Sequence, residues 1–274
     1  MLRSLTMVAA MAGGIFMATA CSTARADGPA KSATSAVSAT SVKAAPVTPP
    51  QPGRQIIILK LDDVVNIGAG WVRVIDYCEK NNVKAGLGII CDSLEKNDQA
   101  YLNWIKDHQK KGFIEFWCHG YFNVANFYTT HTLEEQTAAL KKCETLAKEK
   151  LGFPLVAFGE HNSFTTSETQ IAVQAVPELK VWLYGPKDSQ YYKKLSIPRV
   201  NGLEYKVGAV DFDKFKDPYD KYGAREKVLV LQGHANYWDD TSFAAFTKII
   251  DYLKSKNVVF MTPTEYLNFA NKGK

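Results

Sequence analysis

Four stretches of this chain carry side chains able to move protons or hold a cation. Asp62 and Asp63 are adjacent. Neighbouring carboxylates repel each other unless a proton or a cation comes between them. A divalent cation would keep one as a ligand and leave the other free as a base; the plainer alternative is an aspartate cap on the next helix. His119-Gly-Tyr-Phe-Asn123 sets an imidazole and a side-chain amide four residues apart, so a helical turn there would aim both the same way. Imidazole suits transition metals, and an amide oxygen suits harder ions. Glu160-His161-Asn162 groups a carboxylate, an imidazole and an amide. His234, within Leu231-Gln-Gly-His-Ala-Asn-Tyr-Trp238, could be a general acid over an aromatic pocket.

All four stretches follow apolar runs that read as strands. Gln55 to Leu61 is continuous and apolar in the manner of a buried parallel strand. Further strands are expected at 83–91, 114–118, 155–158, 180–184, 227–231 and 258–261. Helical spacing marks 69–81, 98–111, 166–176, 241–256 and 264–271. Thr132-Leu-Glu-Glu135 is a capping-box sequence opening a helix that runs to about Leu151. Such alternation of strand and helix predicts an α/β fold with a parallel sheet, a distorted or incomplete (β/α) barrel over residues 54–274. In a barrel, chemistry gathers just past the strand C-termini, which is where these residues fall. Residues 185–226 are less regular and read as an insertion or an irregular barrel segment.

The N-terminal portion is of another kind. Residues 1–26 have the anatomy of an export signal: Arg3, then an uncharged run from Leu5 to Ala20 too short for a membrane span. Ala18-Thr-Ala-Cys21 resembles a lipobox that would leave Cys21 lipidated; Ala24-Arg-Ala26 fits ordinary cleavage, and the lipoprotein reading is placed ahead. Residues 27–53, ending Pro49-Pro-Gln-Pro-Gly53, read as a disordered tether rich in Ser, Thr, Ala and Pro. The expected locations are therefore the periplasm, an outer-membrane lipid anchor or the medium, with membrane contact only through that anchor. Lys plus Arg number 33 against 28 acidic residues, and no basic run is interleaved with aromatics, so a nucleic-acid partner is not expected. The five cysteines contain no C-x-x-C pair, which leaves a zinc knuckle or thioredoxin motif unsupported.

Taken in order, these motifs resemble the polysaccharide deacetylase family (NodB-like, carbohydrate esterase family 4). Leu61-Asp62-Asp63 resembles the family's T-F-D-D strand end, and His119 to Asn123 its H-x-x-x-H. Ala157 to Asn162 occupies the place of the third motif, and Leu231-Gln-Gly-His234 resembles the late L-x-x-H. The resemblance implies an exported, metal-dependent hydrolase that removes N- or O-linked acetyl groups from an acetylated glycan. It implies Asp62 as base, His234 as acid, and Asp63, His119 and Asn123 as metal ligands, with His161 able to stand in. Zinc is the first expectation for the divalent metal, and Asn123 admits other ions. Tyr121, Asn162, Tyr237 and Trp238 are candidates to contact the sugar. The sequence departs from the family at Asn123, where a second histidine is usual. It departs again in the third motif, which lacks the arginine that orients the base. A catalytically impaired, carbohydrate-binding barrel is the alternative, and a two-carboxylate glycosidase using Glu160 is a third reading.

Overall fold

The computed structural model describes residues 53–272. The export signal with Cys21, and the tether apart from Gly53, lie outside the described residues. The strands are β1 (Ile56–Val64), β2 (Ala85–Ile89), β3 (Ile114–Cys118), β4 (Ala157–Phe158), β5 (Val181–Leu183), β6 (Leu195–Ile197), β7 (Glu204–Lys206), β8 (Ala209–Val210), β9 (Val228–Gly233) and β10 (Val259–Phe260). The α-helices are α1 (Ala69–Lys80), α2 (Ser93–Lys96), α3 (Gln99–Lys111), α4 (Phe127–Thr130), α5 (Leu133–Leu146), α6 (Ser167–Ala175), α7 (Phe212–Lys221), α8 (Asp240–Ser255) and α9 (Pro263–Lys272).

Eight strands form one parallel sheet in the order β10-β1-β2-β3-β4-β5-β6, with β9 on the other edge of β1. β10 and β2 share one edge of β1: β10 pairs with Ile56 and Ile57, and β2 takes over from Lys60. A parallel bridge between Gly202 and Gln232 brings the chain beyond β6 against β9, so the sheet curls into a nearly closed barrel. This is the distorted (β/α) barrel that the alternation predicts. The irregular stretch 185–226 supplies β6, an antiparallel β7–β8 hairpin and α7.

Local sequence explains the framing. Thr132 and Glu135 form the reciprocal capping box that starts α5. Gly112 ends α3 in the left-handed conformation, with φ 78°, where a side chain would be strained. Along β1 the side chains alternate. Ile57, Leu59 and Leu61 pack outward in the large cluster beneath the helices, with Trp71, Ile75 and Phe246. Ile56 and Ile58 face the barrel interior with Trp117, Val181, Leu183, Ile197 and Val230. Tyr266 and Leu267 of α9 pack on this inner cluster, and Glu115 accepts hydrogen bonds from the Thr264 backbone N–H and hydroxyl at the start of α9. One end of the barrel is thereby filled, and the chemistry is left to the other.

Candidate active site

Alternation along four strands decides which side chains enter the cleft. Continuing β1 inward past Ile58 gives Lys60 and Asp62, both buried. Asp63 should then face outward, but the pairing of β1 with β2 slips between Leu61 and Val64, and Asp63 adopts φ 75°. This bulge re-aims the second carboxylate into the same space as the first. In β3 the inward register of Trp117 continues to His119, while Cys118 turns outward. In β4 Ala157 faces in, and two residues apart each follow Gly159 and His161; Phe158 and Glu160 point the other way. In β9 Val230, Gln232 and His234 share the inner face.

The convergence is close. His119 Nε2 stands 3.3 Å from Asp63 Oδ1 and 3.6 Å from Asp62 Oδ2. His161 Nε2 is 3.5 Å from the same Asp63 Oδ1, and His234 Nε2 is 3.9 Å from Asp63 Oδ2. Asp63 Oδ1 is buried and accepts no hydrogen bond. His119 Nδ1 donates to the Gly159 carbonyl at 2.6 Å. A carbonyl can only accept, so Nδ1 carries a proton, and Nε2 is the ring atom that faces Asp63. The Asn162 amide N–H donates to His161 Nδ1 at 2.8 Å, so a neutral ring keeps its proton on Nε2, where a bound cation would replace it. Two imidazoles thus present Nε2 to an unpartnered carboxylate oxygen. That donor set fits a divalent cation.

Charge is arranged to match. Burial alone would raise the Asp62 carboxyl, but the Lys60 ammonium, followed by the imidazoles of His119 and His234, holds it below its usual range. Burial likewise works against ionised Asp63, and His119, then His234 and His161, lower it to about 2. Burial and the neighbouring His119 push the His161 pKa down, against the pull of Asp63. Burial would also lower His234; its hydrogen bond to Glu204 and the charges of Asp62, Glu204 and Asp63 raise it overall. His234 Nδ1 donates to Glu204 Oε2 at 2.6 Å, and Glu204 Oε1 accepts the His234 backbone N–H at 2.7 Å.

A cleft of about 560 Å³ opens over these groups, lined also by Asn162, Phe164, Arg199, Tyr205, Lys206, Gln232 and Tyr237. Several expectations need correction. Neither Asp62 nor Asp63 caps a helix: the N-cap of α1 is Gly68, with no side-chain bond. Asn123 is exposed and is not among the residues lining the cleft. The expected helical turn after His119 does not form, because Gly120 turns the chain at φ 93°. Tyr121 is buried outside the cleft, its hydroxyl donating to Glu95 and accepting from Lys142. Trp238 supports the site rather than lining it: its indole N–H donates to Glu204 and its ring packs on Phe246. Glu160 accepts from the Trp182 indole at 2.7 Å, on the far side of β4, so it cannot serve as one of two flanking carboxylates at this cleft.

Sequence reasoning passed over Lys60, Gln232 and Glu204. A lysine inside an otherwise apolar strand, two residues before Asp62, was a readable signal. Glu204 carries none, because it lies in the irregular segment. A separate trio, Cys91, Cys118 and Cys143, brings three buried free thiols within 4.8 Å of one another behind the sheet.

The fold is similar to that of solved barrels of carbohydrate esterase family 4. Solved structures that resemble it include the family 4 acetyl xylan esterase from Clostridium thermocellum in complex with a cobalt ion, at 17% identity and TM-score 0.59, covering 80% of this chain and 92% of that one. The catalytic domain of a peptidoglycan N-acetylglucosamine deacetylase from Eubacterium rectale matches at 19% identity and TM-score 0.54, over 80% and 93%. A family 4 pseudoenzyme from Bacillus anthracis matches at 14% identity and TM-score 0.57, over 82% and 69%. No protein-family model and no curated sequence matches the chain.

Proposed function

We propose that this protein is an exported, metal-dependent deacetylase of an acetylated glycan. The observation that carries the reading is the unpartnered, buried Asp63 Oδ1 facing the Nε2 atoms of His119 and His161. Asp63, His119 and His161 would hold the cation, and His161 takes the part that the family resemblance assigns to Asn123. When bound, a divalent cation acidifies water and draws off negative charge from the acyl oxygen. Asp62, ionised and fixed by two donors, accepts the proton of the attacking water. His234, carrying a proton and held by Glu204, gives it to the departing nitrogen or oxygen of the sugar. The products are acetate and a free amine or hydroxyl. Asn162 and Tyr237 at the cleft wall are suited to contact the sugar. The N-terminal signal supports export, with Cys21 as the lipidated residue.

The test is acetate release from acetylated amino-sugar oligomers and acetylated polysaccharide, with elemental analysis of the same preparation. Release that depends on a bound divalent metal and disappears in Asp63→Ala is expected. Release unchanged by both chelation and Asp63→Ala would overturn the mechanism. A second reading is a glycan-binding barrel without turnover. The arginine missing from the third motif and the likeness to a pseudoenzyme favour it. Glycan binding without acetate release under any added metal would select it.

A further inference from the structure

The geometry points to Lys60 as the positioning residue for Asp62, doing from inside β1 what no arginine of the β4 loop does here. This rests on the deacetylase reading for its kinetic arm alone. Lys60 lies in the inner layer of the barrel, where its strand neighbours Ile56 and Ile58 are apolar, and it is 1% exposed. A buried ammonium is costly unless it is paired. Its Nζ reaches both oxygens of one carboxylate, Asp62 Oδ1 at 2.8 Å and Oδ2 at 2.6 Å. Gln232 Nε2 adds a bond of 2.5 Å to Oδ2. Three contacts from two strands therefore define the rotation of the carboxylate plane, and none of them depends on a loop.

The surroundings are shaped for this cation. The ammonium sits 4.9 Å from the Trp117 ring centre and 5.3 Å from that of Tyr184, so aromatic faces flank it. Gly159 supplies the clearance: a Cβ there would lie 2.8 Å from Lys60 Cε and 3.1 Å from the Trp117 ring. The third-motif loop thus contributes space in place of a charge. A lysine at 60 and a glycine at 159 act as one device. Because Lys60 and Asp62 are two residues apart on one strand, both face inward by the pleat itself.

The experiment compares the wild-type protein with Lys60→Met, which keeps the chain length and removes the charge. A crystal structure should show the Asp62 carboxylate turned from its orientation, with one metal ion per chain retained. Turnover should fall about 10²-fold, the scale of a misplaced catalytic group, while KM changes less than about threefold. In Lys60→Ala, added ethylammonium should restore part of the lost kcat, which a merely structural defect would not allow. An unmoved Asp62 in Lys60→Met, or full turnover, overturns the assignment. If Lys60→Met does not fold, Gly159→Ala displaces Lys60 while keeping its charge; a turned Asp62 supports the assignment and an unaltered one defeats it. Absence of acetate release from the wild type would refute the proposed function, and the Asp62 orientation would still decide the role of Lys60.

Discussion

Buried carboxylates in the cleft and behind the sheet behave in opposite ways. Asp62 and Asp63, on the cleft side, are held below their ordinary pKa range. Glu144 and Glu160, on the helix side, are raised, Glu144 to about 8, with burial as the leading cause in both. All four lie away from solvent or nearly so. What differs is company. The aspartates face Lys60 and three imidazoles, whereas Glu144 accepts the Leu155 N–H and has Cys118 nearby, with Lys148 a weaker counterweight. Burial sets the cost of a charge, and neighbouring positive charge together with hydrogen-bond donors offsets it. The same division separates the two ligand-type trios: the cleft trio borders an open cleft, and the thiol trio is sealed. Burial pushes the Cys91 and Cys143 thiols upward.

This comparison can be broken at several points. Asp63→Ala removes the carboxylate shared by the imidazoles, and acetate release should fall about 10³-fold or more, together with metal content by elemental analysis. His161→Ala removes a direct ligand and should weaken metal affinity by more than the roughly 10- to 100-fold that loss of a ligand's outer partner costs, whereas Asn123→Ala should leave it unchanged; titration with a chelating competitor reads both. A reversed result would return the third ligand to Asn123. Glu204→Gln keeps a hydrogen-bond acceptor for His234 but removes its charge, and kcat should drop about tenfold with metal content unaffected. The smallest effect concerns stability. Because the Glu144 pKa rises from 4.5 in the unfolded chain to about 8 in the folded one, the folded state holds the extra proton between those values. Its contribution is therefore present at low pH and lost as pH climbs toward 8. Glu144→Gln should flatten the decline of the urea midpoint over that window; an unchanged slope would place the titration elsewhere.

Much of the frame was legible from local pattern. The β1 run, the capping box at Thr132, the stop at Gly112 and the strand-end positions of Asp62, His119 and His234 all follow from spacing and residue type. The account of Asn123 failed because it assumed a helical turn where Gly120 bends the chain away. Tyr121 and Trp238 failed for a related reason: aromatic type does not say whether a ring lines a cleft or supports it.

Periodicity and end signals are properties of a few neighbouring residues, so the chain alone specified the alternating elements, the parallel barrel and which strand ends carry reactive groups. Position in the cleft is a property of pairing between distant segments. Only the tertiary structure decided that a register slip swings Asp63 inward, that His161 rather than Asn123 faces it, and that Glu204 supports His234 from 30 residues away. Such contacts depend on sheet register and closure, which no short window of sequence encodes.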